Sequence, residues 1–331
     1  MSDCDRSFWN PDFSHVYIEE DILDHPRTAK ILSHLTHSSV IPVPHYKDVF
    51  CRKNQHFAAQ KQSMKLILAR KREPFLYKGS PMCDDFGHEN FFYTSDIMNC
   101  MYQCEYCYLQ GMYPSANIVV FVNLEDTFLA LEARLKEKPM YVCISYDTDL
   151  LAFENLTGFV ADWIGFASRH LDLTIESRTK SANFSAISAI SPQPNVILAW
   201  SISPASIADS LEKHTPPLRS RLRSMREAIE KGWKVRLCVD PMLCVEDWER
   251  IYDRFFEEVQ SALPLDQLFD FSIGVFRVPK ESLKAMRGIH PGSMLLSYPF
   301  TLSESGWSYP EEQKSVMMDY LKDRFGSATA H

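Results

Sequence analysis

Cys100-Met101-Tyr102-Gln103-Cys104-Glu105-Tyr106-Cys107 decides how this chain is read. Three thiolates at the spacing CxxxCxxC, with an aromatic just before the last, suit a [4Fe-4S] cluster held through three of its irons. Clusters built for electron transfer normally carry four Cys ligands. A three-Cys loop therefore leaves one iron open to a substrate or cofactor. Two plainer readings compete: part of a zinc site with a distant fourth ligand, and buried thiols with no role. Zinc motifs usually come as two Cys/His pairs, and no second pair stands here at a suitable spacing.

Around this loop, length and composition set bounds. A chain of 331 residues fits one large α/β domain or two small ones. The first ten residues, MSDCDRSFWN, carry no apolar run, so no secretory signal is expected. No stretch approaches the roughly 18 apolar residues that span a bilayer. Nine Cys is an odd number and a low density, which favours a reducing, cytoplasmic setting. A net charge of −8 argues against coating nucleic acid by global charge. A local basic surface is still legible: Lys47, Arg52, Lys53, Lys61, Lys65, Arg70, Lys71, Arg72 and Lys78 are opposed only by Asp48 and Glu73. A second run is Arg219, Arg221, Arg223 and Arg226. Each run reads either as a solvated helix face or as a set of phosphate contacts.

Residues 1–88 lack strong alternation and predict a mostly helical N-terminal extension, with a short strand at His15–Glu19. From Asn90 onward, short apolar runs alternate with amphipathic helical patterns. The predicted strands are Phe91–Ser95, Tyr141–Tyr146, Leu171–Ser177, Val196–Ile202, Lys234–Val239 and Phe269–Val275. The predicted helices are Glu125–Lys136, Leu156–Ser168, Leu218–Lys231, Val245–Ser261 and Glu311–Arg324. Such alternation implies βαβ units and a parallel sheet. The fold class is thus α/β, with a partial (β/α)6 barrel over 89–285 and a hairpin and helix over 286–331. In Lys234–Asp240, Val235, Leu237 and Val239 share one face, and Lys234, Arg236, Cys238 and Asp240 the other. A strand buried between two apolar layers would not carry such a face; a polar barrel interior would.

The cluster loop resembles that of the radical S-adenosylmethionine (SAM) superfamily, whose usual core is this partial barrel. More narrowly, Cys107-Tyr108-Leu109-Gln110 and the run Val122-Asn123-Leu124-Glu125-Asp126 resemble the spore photoproduct lyase family. So do Asp149 to Thr157, Thr179-Lys180, Trp200-Ser201-Ile202, Gly232 to Pro241 and Trp248-Glu249-Arg250. The resemblance covers roughly residues 14 to 325. It implies a radical SAM carbon–carbon lyase. Such an enzyme reverses the spore photoproduct, 5-thyminyl-5,6-dihydrothymine, in ultraviolet-damaged double-stranded DNA to two thymines. It implies a 5′-deoxyadenosyl radical, a [4Fe-4S] cluster, SAM, and a one-electron donor such as flavodoxin or ferredoxin. Carried over residue by residue, it gives Cys100, Cys104 and Cys107 as cluster ligands. Lys180 and Ser201 fall at the methionine end of SAM, Tyr106 beside the adenine, Thr148 close to SAM and Tyr108 near the radical path.

The chain departs from the family in two places. Well-known members place a hydrogen-donating Cys after the second strand, where this chain has Tyr146-Asp147-Thr148-Asp149. Either Tyr146 donates directly or another Cys serves with a Tyr as relay, and Cys143, Cys238 and Cys83 are the candidate thiols. Cys83 lies in a Pro- and Gly-punctuated polar loop and is the expected donor, with Tyr106, Tyr108 or Tyr146 as partner. The C-terminal segment Ser297–Tyr309 has hairpin length but no Lys or Arg. Its Tyr298, Phe300 and Trp307 suit either base stacking or a hydrophobic cover. These departures keep a second reading open: a radical SAM enzyme of the same lineage acting on another nucleotide or a peptide.

Overall fold

The computed structural model describes residues 12–80 and 83–329. It divides into two compact units, one running to Met101 and resuming over Met112–Arg178, the other Tyr102–Gly111 with the chain from Thr179 onward.

The first unit holds a five-stranded sheet in the order Ser39–Val43, His15–Glu19, Leu66–Ala69, Ile118–Phe121, Ile97–Met98. The first four strands are parallel and the last is antiparallel. This corrects the expectation of a mostly helical N-terminal part. Leu66–Ala69 is buried throughout, as parallel strands covered on both faces are, so it shows no alternation. It is also flanked by Lys61, Lys65, Arg70, Lys71 and Arg72, which made the stretch look like a solvated helix. Ser39–Val43 is a largely exposed edge strand containing Pro42, a residue edges tolerate. The same unit holds three further parallel strands, Phe91–Tyr93, Met140–Cys143 and Leu173–Thr179.

The second unit holds Val196–Ser201, Lys234–Met242 and Asp270–Val275, all parallel. In sequence order these six strands are the six predicted ones, with ends displaced by a few residues. Their helical connections follow the apolar periodicity. Leu218–Glu230 buries Leu218, Leu222, Met225, Ala228 and Ile229, one stripe of a 3.6-residue repeat. The predicted helix Leu156–Ser168 is instead broken at Gly158, whose φ of 72° joins Glu154–Thr157 to Phe159–Ala167. A side chain there would be strained.

The polar strand faces are filled by ion pairs. Arg236 stands opposite Asp270 in register and forks onto it with bonds of 2.5 and 2.6 Å. Arg277 forks onto Asp240 at 2.8 and 3.0 Å. The C-terminal hairpin is present: Thr301–Ser303 pairs antiparallel with Gly306–Ser308, which in turn pairs with Arg277–Val278. Residues 301–305 are exposed. Phe300 is buried against Phe276 and Tyr309, so it fills core, whereas Tyr298 and Trp307 are half-buried.

The basic window is less basic than its composition. Lys71 is buried beside Asp96, Arg70 pairs with Asp126 and Arg72 with Asp21. In the second run Arg221 is buried.

Candidate active site

The cysteine loop is shaped by main-chain and amide bonds. Asn99, in left-handed backbone with φ 68°, donates from its side-chain amide to the carbonyls of Ser115 and Asn117 at 2.7 and 2.8 Å. Asn tolerates that conformation better than most residues. The Lys61 ammonium donates to the Cys100 carbonyl. In the second unit, Gln103–Cys104 pairs antiparallel with Glu212–Lys213, and Glu105 N–H donates to the Leu211 carbonyl at 2.8 Å. Cys107 N–H turns back onto the Cys104 carbonyl at 3.1 Å. The Gln110 amide donates to the same carbonyl at 2.6 Å, and the Gln110 amide oxygen is 2.7 Å from His290 Nε2. Tyr108 stands half-buried, its carbonyl accepting from Gly111 N–H. Gly111 is required by closeness: a Cβ there would lie 2.5 Å from the Ser282 Cα.

Next to the loop stands a buried carboxylate that sequence reasoning missed. Glu212 Oε1 accepts from Lys180 Nζ at 3.0 Å, from the Ser203 hydroxyl at 2.9 Å and from the Tyr106 hydroxyl. Its other oxygen lies 2.5 Å from Arg221 Nη2, close enough for an ion pair but not aligned as a hydrogen bond. Burial alone would raise the Glu212 pKa, but Lys180 and Arg221 outweigh it and hold the carboxyl well below its usual range. Burial first, and then the Glu212 charge, push the Tyr106 phenol well above its usual range. Tyr106 therefore stays protonated and donates. Lys180 Nζ also lies 5.5 Å from the Tyr106 ring centroid, within cation–π range. The structure thus brings two of the predicted cofactor contacts, Lys180 and Tyr106, onto one carboxylate. Ser201 is buried on its strand, and its carbonyl accepts from Arg221 at 3.3 Å.

In the first unit, Cys83 and Tyr146 meet across 63 residues of sequence: the thiol donates to the phenol oxygen at 3.5 Å. Tyr146 stacks on Tyr93 at 4.0 Å between centroids, and Tyr93 on Tyr77 at 5.1 Å. Burial, followed by the nearby Cys83 thiol, pushes the Tyr146 phenol up; burial takes Tyr93 to about 12. Of the competing thiols, Cys238 is fully buried. Cys143 is buried too, and that burial raises its pKa to about 12.

Cys100, Cys104 and Cys107 are not joined in disulfides, as a cluster requires of its ligands. Among the described residues no three His, Cys, Asp or Glu side chains close around a single metal ion. Thr148 Oγ1, Asp147 Oδ1 and Ser177 Oγ are buried without a protein hydrogen-bond partner. Orphaned groups of this kind ask for a ligand or water, as the SAM contact expected of Thr148 would supply.

The family profile described as spore photoproduct lyase matches residues 93–295. A spore photoproduct lyase of Clostridium acetobutylicum is 24% identical over 205 residues, 60% of each chain. That of Bacillus subtilis (strain 168) is 24% identical over 202 residues, 59% of each. The match therefore spans about three fifths of the length of these curated relatives. Among solved structures, a spore photoproduct lyase variant with bound AdoMet and dinucleoside spore photoproduct superposes with a TM-score of 0.83 at 19% identity, covering 96% of this chain and 97% of that one. A second, complexed with dinucleoside spore photoproduct, gives 0.83 at 18% identity, covering 95% and 96%. The fold is the partial barrel of that family.

Proposed function

This chain belongs to the spore photoproduct lyase family, and from that premise we propose that it is a radical SAM lyase restoring two thymines from the spore photoproduct in double-stranded DNA. Cys100, Cys104 and Cys107 hold the [4Fe-4S] cluster; Lys180 and Ser201 receive the methionine end of SAM, Tyr106 lies beside its adenine and Thr148 contacts it. Together the bound cluster and SAM supply what side chains lack, a one-electron reduction that yields a 5′-deoxyadenosyl radical for hydrogen abstraction. The electron comes from a flavodoxin- or ferredoxin-type donor in the cytoplasm. No helix is long and apolar enough to cross a membrane among the described residues.

The protein's own task is to return hydrogen to the thymine radical left after the linking bond breaks. The observation that carries this reading is the Cys83–Tyr146 contact. It puts a thiol against the residue that stands where the family has its donor Cys. Cys83 gives its hydrogen atom to the substrate carbon: the S–H bond breaks and a C–H bond forms. Tyr146 would then refill the sulfur from its O–H, and the bound cofactor would supply the hydrogen owed to Tyr146, with Tyr108 as the residue near that path.

The test is anaerobic repair of photoproduct-containing DNA by the reconstituted protein with SAM and dithionite. Stoichiometric thymine with little net SAM consumed supports the proposal. Steady release of 5′-deoxyadenosine without thymine would transfer the radical chemistry to another nucleotide or a peptide, the reading favoured by the exposed, cation-free hairpin residues 301–305. In a Cys83→Ala protein, lesion loss should continue while clean thymine gives way to side products; clean thymine from that variant refutes the donor role.

A further inference from the structure

Glu212 has contacts that its ion pair with Arg221 does not need. Arg221 is fully buried and neutralises one negative charge by itself. Yet the same carboxylate also accepts from Lys180, Ser203 and Tyr106. Its own backbone pairs with Cys104. One residue therefore meets the cluster loop through its main chain and two expected SAM contacts through its side chain.

We propose that Glu212 is the positioning residue of the SAM site: it fixes the Lys180 ammonium and the Tyr106 ring at a set distance from the loop that carries Cys104 and Cys107. The inference rests on the radical SAM reading above. A carboxylate that accepts at one oxygen from an ammonium, a phenol and a hydroxyl leaves each donor little freedom. A cation that must meet the SAM carboxylate gains affinity from being held ready, because ordering a long side chain on binding costs free energy. Lys carries more of that freedom than most residues. Glu212 acts through Lys180 and Tyr106 and does not itself touch the cofactor.

The experiment uses reconstituted holoprotein and SAM itself. Wild-type protein is measured first: SAM dissociation constant by equilibrium dialysis, and the change SAM causes in the electron paramagnetic resonance signal of the reduced cluster. Glu212→Asp keeps the charge but shortens the reach by one methylene. It should retain wild-type iron content, bind SAM about tenfold more weakly and give an altered SAM-induced signal. Ser203→Ala removes one neutral hydrogen bond to the same oxygen and should weaken SAM binding a few-fold. It decides the matter if Glu212→Asp does not fold. Combining Glu212→Asp with Lys180→Ala should weaken binding no further than Lys180→Ala alone, since the two act as a unit. Wild-type SAM affinity in folded Glu212→Asp and Ser203→Ala proteins overturns the proposal while leaving the radical SAM reading intact. Absence of SAM binding in the wild-type protein overturns both.

Discussion

Lys71 with Asp96 in the first unit, and Lys180 with Glu212 in the second, are both ammonium–carboxylate pairs set back from water, with Nζ to oxygen distances of 3.5 and 3.0 Å. Their surroundings differ. Asp96 also accepts from the Thr94 hydroxyl and the Trp163 indole, and Lys71 also donates to the Ser95 carbonyl. The Lys71 side chain is 4% exposed, and burial lowers its pKa against the pull of Asp96. That pair is one cation to one anion, closed by core groups. Glu212 has two cations on one carboxylate, and the Lys180 side chain is 16% exposed. Arg221, Lys180 and Glu212 together carry a positive excess beside the cysteine loop. A sealed, balanced pair fastens a fold. An unbalanced one with an accessible member prepares a place for an anion.

Breaking the two pairs should therefore give opposite results. Lys71→Met leaves Asp96 buried without its cation and should cost about 3–5 kcal/mol of stability in urea unfolding, with iron content unchanged. Lys180→Ala leaves Glu212 its Arg221 partner, so stability should change by less than about 1 kcal/mol while repair falls about hundredfold. If both variants lose stability alike, the contrast is wrong.

A third buried carboxylate sharpens it. Glu154 is capped by the Val160 and Ala161 N–H groups at 2.7 and 3.0 Å. Burial outweighs those bonds and raises its pKa from 4.5 to about 7. The folded state thus binds the proton more tightly than the unfolded one. This contribution is complete below about pH 4.5 and is lost as pH rises through about 7, a swing on the order of 3 kcal/mol. Glu154→Gln should flatten the stability profile in that window; an unchanged slope means the proton sits elsewhere. The smallest effect is expected at Gly111→Ala. Crowding Ser282 should cost about 1–3 kcal/mol and show as a lowered melting temperature, while an unaltered one would mean the loop yields freely.

Much of this was legible from the residues alone. Six strands and the principal helices follow from apolar runs and periodicity, and the hairpin from the length and turn chemistry of Ser297–Tyr309. The Cys loop was legible from spacing. What escaped depends on distant partners. Glu212 is a single acid in Ser210-Leu211-Glu212-Lys213-His214, with no pattern to mark it; its meaning arises only when Lys180, Ser203 and Arg221 converge. Leu66–Ala69 was hidden by neighbouring cations whose acids, Asp21, Asp96 and Asp126, lie far off in sequence. Cys83 stood out by its Pro- and Gly-punctuated polar loop, but its contact with Tyr146 among three tyrosines needed coordinates.

The fastening of the cysteine loop is independent of its thiols. The loop around Cys104 is held by its pairing with Glu212–Lys213, by the Leu211 carbonyl and by the Gln110 amide. None of these bonds uses a thiol; they satisfy main-chain groups that would be costly to leave unpaired away from water. If the loop holds the proposed cluster, losing that cluster leaves these bonds in place: the frame of the loop does not depend on its cargo.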